Sequence, residues 1–479
     1  MQFYCIFGVN PYLIHDMSIV ANVLESTVNS VAKVLFADVL FFLPNAKLPF
    51  LIFWVIVACV FFTFQLHFIN FKHFVTSLKI FFENEKEDKS GKTMTSRSAF
   101  IAAISGCVGV GSISGVAASV YYGGPGVVVW LLIGAFIAMP LRFAEVYLGH
   151  HFREKDSEGN IISYGPFAYI KNGLKSIGLS FLSKPLTIMF AIGLFFTSIS
   201  AIMGQVGPTS ELISHTFFEG SLISAVITAV VMAIFTIVII FGGLARISKT
   251  ISSLTILMSL LYIAIILLIL IVNYKNILPS IKLIFESAFT MKSAFGGSLG
   301  IAIVALTRII SMNEIGMGTV AIMHGKSKNN NSAKEAMLAM SGPFVAILIF
   351  VALNSFAVIV SGSYLHGLNG VLMITKMFSS TFQYLPFMLV IIMLLFAVTT
   401  LIAWYFYVET ALLELPFGKF LVKIYPALFL GFIVCSSLIP FSTILRFTDV
   451  LGIVIIIPNV LILYLLSGKV KEGLMKYKK

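Results

Sequence analysis

Long apolar runs separated by short polar stretches recur along almost the whole chain. A helix needs about 17 to 25 predominantly apolar residues to cross a bilayer. On that measure the pattern predicts eleven spans, at 49–70, 99–121, 127–149, 179–204, 221–241, 253–273, 297–312, 336–360, 386–408, 424–440 and 447–466. The seventh is the shortest. Residues 18–43 place Val20, Val23, Leu24, Val28, Val31, Leu35 and Val39 near helical spacing, which predicts an amphipathic helix lying in the interface rather than a span. The pattern therefore divides the chain into an extracytoplasmic segment 1–48, a first span 49–70, a loop 71–98, a long helical body and a basic tail 467–479.

Composition makes the membrane reading quantitative. The 479 residues are 59% hydrophobic and 11% charged, with a mean hydropathy of +1.01, far outside the range of soluble domains. The net charge of +12 does not point to nucleic acid, because the basic residues form no patch or stripe. They collect in loops on one side of the predicted spans: 71–98, 150–178, 242–252, the stretch from Arg308 to Lys334, Lys419 with Lys423, and the tail. The other side holds Lys33, Lys47, Lys275, Lys282, Lys292, Lys376 and Arg446. The positive-inside rule then puts the N-terminus outside and the tail in the cytoplasm of a bacterial inner membrane, where the basic loops face anionic lipids. The N-terminus lacks the basic region of a cleaved signal peptide. Cys5, Cys59, Cys107 and Cys435 are scattered, so neither a disulfide framework nor a zinc site is expected.

The second span carries Gly106, Gly109, Gly111 and Gly115 within the stretch GCVGVGSISG. Each glycine costs a helix about 1 kcal/mol relative to alanine. Close helix packing is one use for such residues; local unwinding towards a protein-lined cavity is the other. A second cluster, AFGGSLG at 294–300, opens the seventh span. Five spans separate one cluster from the next, and an odd number inverts the second unit, giving two five-helix repeats of opposite topology, 99–273 and 274–466. Such inverted repeats place two discontinuous helices around a midplane substrate site. Unwound amides and a half-helix N-terminus suit a carboxylate, and freed carbonyls suit a small hard cation.

The ordered motifs VGVGSISGVA (108–117), GGPG (123–126), RFAEV (142–146), REKDSEGN (153–160), Gln205, FGGLARI (241–247), NEIGMG (313–318), TTLIAWYFYVE (399–409) and IPNVLILYLLSG (457–468) resemble the alanine/glycine:cation symporter family over roughly residues 20–470. The resemblance implies an all-α polytopic membrane protein of about eleven transmembrane helices, an inverted 5+5 repeat preceded by an additional N-terminal span. It implies sodium-coupled, or in some members proton-coupled, import of small neutral amino acids, with no cofactor. By that resemblance the amides around Gly109 and Gly111 hold the substrate carboxylate, Thr400 contacts substrate by its hydroxyl, Trp404 limits side-chain size, and Gln205, Phe295 and Ser298 line the pocket. The cation would sit between the Ser105 and Val108 carbonyls, the Thr399 and Thr400 hydroxyls and the Phe396 carbonyl. Cys107, Val110, Ser112, Gly207 and Ile315 depart from the family's usual residues, and the interval from Gly297 to Asn313 is short. These departures touch the pocket and leave substrate and cation choice open.

Among the remaining polar residues, Arg142 and Glu145 at i,i+3 read as an ion pair anchoring the third span. Asn313 and Glu314 read as part of an inner gate or as a helix cap. Glu409 ends the ninth span as an interface residue, and His150 with His151 lacks a third convergent ligand for a metal. An uncoupled channel or a transporter-derived sensor is the alternative reading. A membrane-embedded enzyme is disfavoured by the absence of a nucleophile, base or metal constellation within the spans, and no phosphate loop of the form GxxxxGK[ST] occurs.

Overall fold

The computed structural model describes residues 37–39, 48–83, 85, 92–218, 220–289, 297–438 and 455–478, with the side chains of 297–299 and 478 excepted. Of the amphipathic helix expected at 18–43 only 37–39 are described, and there the chain is not helical: Asp38 bridges Pro49 in antiparallel fashion. The rest of that segment, like Phe295, lies outside the described residues.

The described chain is almost entirely helical. Helix α1 (Phe50–Gln65) is followed by two short helices, Ile69–Lys72 and Phe74–Phe81. Then come α2 (Ser96–Cys107), α3 (Val110–Gly123), α4 (Val127–His151), α5 (Ser183–Phe217), α6 (Leu222–Ile240) and α7 (Gly243–Val272). Helices α8 (Ile277–Ala288), α9 (Gly297–Asn313) and α10 (Thr319–Gly325) lead to α11 (Ser332–Val360). The chain ends in α12 (Gly370–Thr381), α13 (Leu385–Leu413), α14 (Gly418–Ser436), α15 (Ile456–Leu465) and α16 (Ser467–Lys478). A two-stranded antiparallel hairpin, Glu154–Lys155 with Ile161–Ser163, follows α4.

Among the described residues, seven helices are long and apolar enough to cross a membrane, or eight if the bent pair α2–α3 is one span. Three shorter apolar helices, α1, the body of α9 and α15, fall where the first, seventh and eleventh spans were expected. Several boundaries differ from the hydropathy reading. The fourth span was expected to stop at residue 204, yet α5 runs to Phe217 because Gln205, Thr209 and Ser210 are buried inside the protein instead of facing water. Their polarity ends an apolar window without ending the helix, and the Thr209 hydroxyl returns its proton to the Gln205 carbonyl at 2.7 Å. Helix α13 likewise extends to Leu413 through buried Thr410, whereas α7 begins early at Gly243 and α14 at Gly418 in turns whose Arg246, Lys249, Lys419 and Lys423 stay exposed. The first span is shorter than expected, ending at Gln65, where His67 and Phe68 turn the chain with positive φ.

The two broken spans are not placed symmetrically with respect to their glycines. In the first, α2 and α3 meet at an angle of 50° across Val108 and Gly109, as GCVGVGSISG suggested. In the second, Gly297 and Gly300 lie inside α9, and residues 290–296 are outside the described set. The described interruption falls instead at Glu314–Gly318, between α9 and α10. Three positive φ angles, at Glu314 (52°), Gly316 (81°) and Gly318 (77°), end the helix there, a left-handed conformation that glycine adopts freely. NEIGMG, expected at a gate or cap, is therefore itself the break.

Helix α5 packs along α13, and α2 sits against α7, α13 and α10. Helix α4 runs beside α1, α9, α10 and α11. Both breaks are thereby enclosed by protein, the condition under which irregular backbone survives at membrane depth.

Candidate functional site

The chain leaves helical geometry at Val108 (φ −96°, ψ 90°) and Gly109 (φ −114°, ψ −162°), both extended. A helix that restarts at Val110 exposes its first amides. The Val110 N–H is taken by Gln205 Oε1, 2.7 Å away on α5. This contact explains Gly109 without invoking its backbone freedom: a Cβ there would stand 2.2 Å from Gln205 Oε1. Gln205, assigned from the resemblance to the polar end of the substrate pocket, is in this structure the cap of α3. Gly111 is half-buried, and a Cβ placed on it would meet no atom within 4 Å. Of the two glycines expected at the carboxylate, Gly111 is the one beside open space.

On the other side of the break, α13 meets α2. The Thr400 hydroxyl donates to the Ser105 carbonyl at 2.8 Å, and the Thr399 hydroxyl donates to the carbonyls of Leu395 (2.9 Å) and Phe396 (3.1 Å). Thr399, Thr400, Ser105 and Phe396 are all buried. With its proton directed at a carbonyl, a hydroxyl oxygen presents lone pairs elsewhere, so this crossing collects main-chain and side-chain oxygens of the kind that coordinate a hard cation. Val108 lies one turn beyond Ser105, at the end of α2. Among the described residues no cluster of three His, Cys, Asp or Glu could hold a transition metal.

Trp404 sits one turn after Thr400, 5% exposed, its ring edge-on to Tyr407 with centroids 5.6 Å apart. Tyr407 reaches across to α2, where a Cβ on Gly106 would stand 2.5 Å from the phenolic oxygen. Replacing Gly106 by alanine should therefore push Tyr407 away and lower both thermal stability and uptake. Gly106→Ala combined with Tyr407→Phe should recover much of the stability, read as the melting midpoint of the purified protein. Ser298 lies in the first turn of α9, its side chain outside the described set, as is all of Phe295.

The second break is held by buried charge. Arg142 pairs with Glu145 at 3.1 Å, with both side chains at most 2% exposed, and Arg142 also donates to the Asn313 carbonyl at the end of α9. Glu145 Oε1 accepts the Gly318 N–H at 3.1 Å and the Asn459 amide at 3.3 Å. Asn459 bonds the Gly316 carbonyl at 2.8 Å and accepts the Tyr169 hydroxyl. The Thr319 hydroxyl donates to Glu314. Arg142, Glu145, Asn313 and Glu314 are thus brought together, fastening the NEIGMG turn to α4 and α15. Asn459 and Tyr169 belong to this network and were not singled out from the sequence. A buried asparagine in the apolar run IPNVLILYLLSG was the available signal, since intramembrane polar groups need partners.

Cys107, one of the departures from the family's usual residues, faces Asn313, its thiol 3.5 Å from that carbonyl. Outside the spans, Arg153 braces the loop after α10, donating to the carbonyls of Ser327 and Asn329, each at 2.6 Å. Burial holds Arg153 below the usual arginine range. Lys326, lowered by the same cause, lies over the Tyr164 ring at 4.6 Å and donates to the Ile161 carbonyl.

Comparison with known proteins follows from this geometry. The profile of the sodium:alanine symporter family matches residues 32–479. The sodium/alanine symporter AgcS of Methanococcus maripaludis is 27% identical over 431 residues, which is 88% of this chain and 92% of AgcS. The probable sodium/glutamine symporter GlnT of Bacillus subtilis is 27% identical over 421 residues, 87% of this chain and 85% of GlnT. Among solved structures, MhsT in complex with L-phenylalanine superposes with a TM-score of 0.53 at 17% identity, covering 80% of this chain and 90% of MhsT. That likeness establishes a shared fold.

Proposed function

The chain belongs to the sodium:alanine symporter family, and from that premise we propose that it imports a small neutral amino acid, of the alanine and glycine class, together with sodium by alternating access. The observation that carries this reading is the Thr400 hydroxyl on the Ser105 carbonyl at 2.8 Å. It brings the oxygens of α13 to the backbone of the first broken span, beside the half-helix start at Gly109–Gly111.

In this reading the cation binds Ser105, Val108 and Phe396 carbonyls with the Thr399 and Thr400 hydroxyls. It ties α2 to α13 in one state and releases them in the other. The substrate carboxylate approaches the amides at the start of α3 near Gly111, where there is room, and competes with Gln205 for the Val110 N–H. Phe295 and Ser298 complete the pocket from the second broken span, and Trp404 with Tyr407 closes one end and limits the side chain. The first helix stands outside a core of two inverted five-helix units, and the basic loops face the cytoplasm and its anionic lipids.

Energetics suit a symporter without a nucleotide site. One charge moving inward gains about 2.3 kcal/mol per 100 mV, and a tenfold ion gradient adds about 1.4 kcal/mol. Together these concentrate a neutral substrate by a factor of several hundred. Only a ligand that binds one conformation better than the other can drive the change, and an ion bridging α2 and α13 would do so by holding them together in one state.

The deciding experiment is uptake of labelled alanine, glycine and glutamine into proteoliposomes with imposed sodium or proton gradients. Alanine or glycine uptake should require an inward sodium gradient. Preference for glutamine would move the substrate towards that of GlnT, a proton requirement would replace the ion, and equal uptake with and without either gradient would overturn coupled transport.

A further inference from the structure

His324 and Glu335 form a buried pair that the transport chemistry above does not use. His324 lies in the last turn of α10 and Glu335 in the first turn of α11. The histidine Nδ1 stands 2.6 Å from the carboxylate Oε1, with side-chain exposures of 1% and 0%. The other oxygen, Oε2, accepts the hydroxyls of Ser96 (2.6 Å) and Ser327 (3.0 Å) and the amide of Asn329 (3.3 Å). Ser96 is the first residue of α2. One carboxylate therefore joins the ends of both broken spans on the side of the basic loops. Glu85 adds a second tether there, accepting the Ser96 N–H at 2.7 Å.

The remaining ring nitrogen gives the pair a second face. His324 Nε2 is buried without a hydrogen-bond partner. The residue lines a cavity of about 20 Å³ together with Phe100, Cys107, Arg142 and Asn313, enough for a water molecule, which needs roughly 10–15 Å³.

We propose that His324 and Glu335 together form a proton-binding site, and that the bound proton locks the two half-helices at this end. A neutral imidazole beside an ionised carboxylate leaves one net negative charge in a site with room for about one water. Adding a proton makes the pair neutral overall, Nδ1–H donating to Oε1 and Nε2–H turned to the cavity. The Ser96 and Ser327 hydroxyls and the Asn329 amide offset only part of that charge, and an incompletely paired buried charge is costly. The deprotonated pair therefore gains by hydration beyond the one-water cavity, which increases when α2 and α10 part. The surrounding charges are otherwise engaged. From α4, His150 bonds Ser332 at 2.9 Å and Arg142 pairs with Glu145. Arg153 is directed at loop carbonyls, Lys326 at Ile161, and the Cys107 thiol from α2 at Asn313. The consequence for transport rests on the alternating-access reading, whereas proton binding and local opening do not.

The test is hydrogen exchange of the purified protein, followed by mass spectrometry for peptides spanning 94–107 and 319–335 at about pH 5.5 and about pH 8, on either side of histidine's range and corrected for intrinsic rates. The wild type should be protected about fivefold or more at the lower pH, the lower end of ordinary coupling between sites. His324→Gln, and separately Glu335→Gln, should abolish that difference, while His150→Gln should keep it. No pH difference in the wild type, or a difference that survives in His324→Gln, overturns the proposal. Loss of the difference only in His150→Gln assigns the proton to that residue and overturns it equally. Failure of coupled uptake in proteoliposomes would leave this measurement untouched, so the two readings fail separately.

Discussion

Glu145→Ala should be the most damaging single substitution in the molecule, yielding a protein that cannot be extracted in a stable, monodisperse form. Removing the carboxylate leaves Arg142 as an uncompensated charge with 1% exposure. Breaking a buried pair in this way costs roughly 3–5 kcal/mol. The loss is compounded because Glu145 also accepts from Gly318 and Asn459, so the NEIGMG turn loses two of its anchors. The melting midpoint measured by fluorescence-detected size exclusion should fall far more for Glu145→Ala than for Arg142→Met combined with Glu145→Leu, because replacing both charges by apolar groups of similar volume is often close to neutral. If the double variant is as unstable as the single one, the anchoring of Gly316 and Gly318 outweighs the charge pair. If Glu145→Ala is as stable as wild type, the pair does not hold the break.

The second large effect is expected at Thr400. Thr400→Val keeps the shape of the side chain and removes the hydroxyl that reaches Ser105. Sodium stimulation of uptake should weaken by at least the roughly tenfold to hundredfold seen when a supporting group of an ion site is lost. Insertion and stability should change little. Thr399→Val should act in the same direction and less strongly, since the Thr399 hydroxyl returns to carbonyls of its own helix, as intramembrane threonines commonly do. Ser105→Ala should leave sodium dependence intact, because the group offered by Ser105 is its main-chain carbonyl. Sodium titrations at fixed substrate separate the three, and a Thr400→Val protein with wild-type sodium dependence would remove the α2–α13 crossing from the ion site.

Two further consequences bear on specificity. Gln205 fills space beside Gly109 that a larger residue at 109 would deny it, so the cap of α3 and the backbone turn are set jointly. Cys107 and Asn313 meet where the two broken spans cross. A departure from the family at Cys107 therefore alters a contact between α2 and the end of α9.

The chain order of apolar runs determined the class of protein, the approximate place of each span and the first break. These depend on the solvent each segment meets, and hydropathy with glycine content records that locally. The family motifs also placed Ser105, Thr399, Thr400, Gln205, Arg142 and Glu145 among the residues worth attention. Tertiary structure decided what those residues touch. It made Gln205 a cap for Val110, added an interruption at Glu314–Gly318, let α5 continue through polar residues to Phe217, and recruited Asn459, Tyr169, His324 and Glu335. The physical reason is common to all of these. A polar group in an apolar run must find a partner or water, but the partner lies on another helix, at separations such as the 314 residues between Glu145 and Asn459. Local sequence registers the need for a partner, and only the packing of helices supplies its identity.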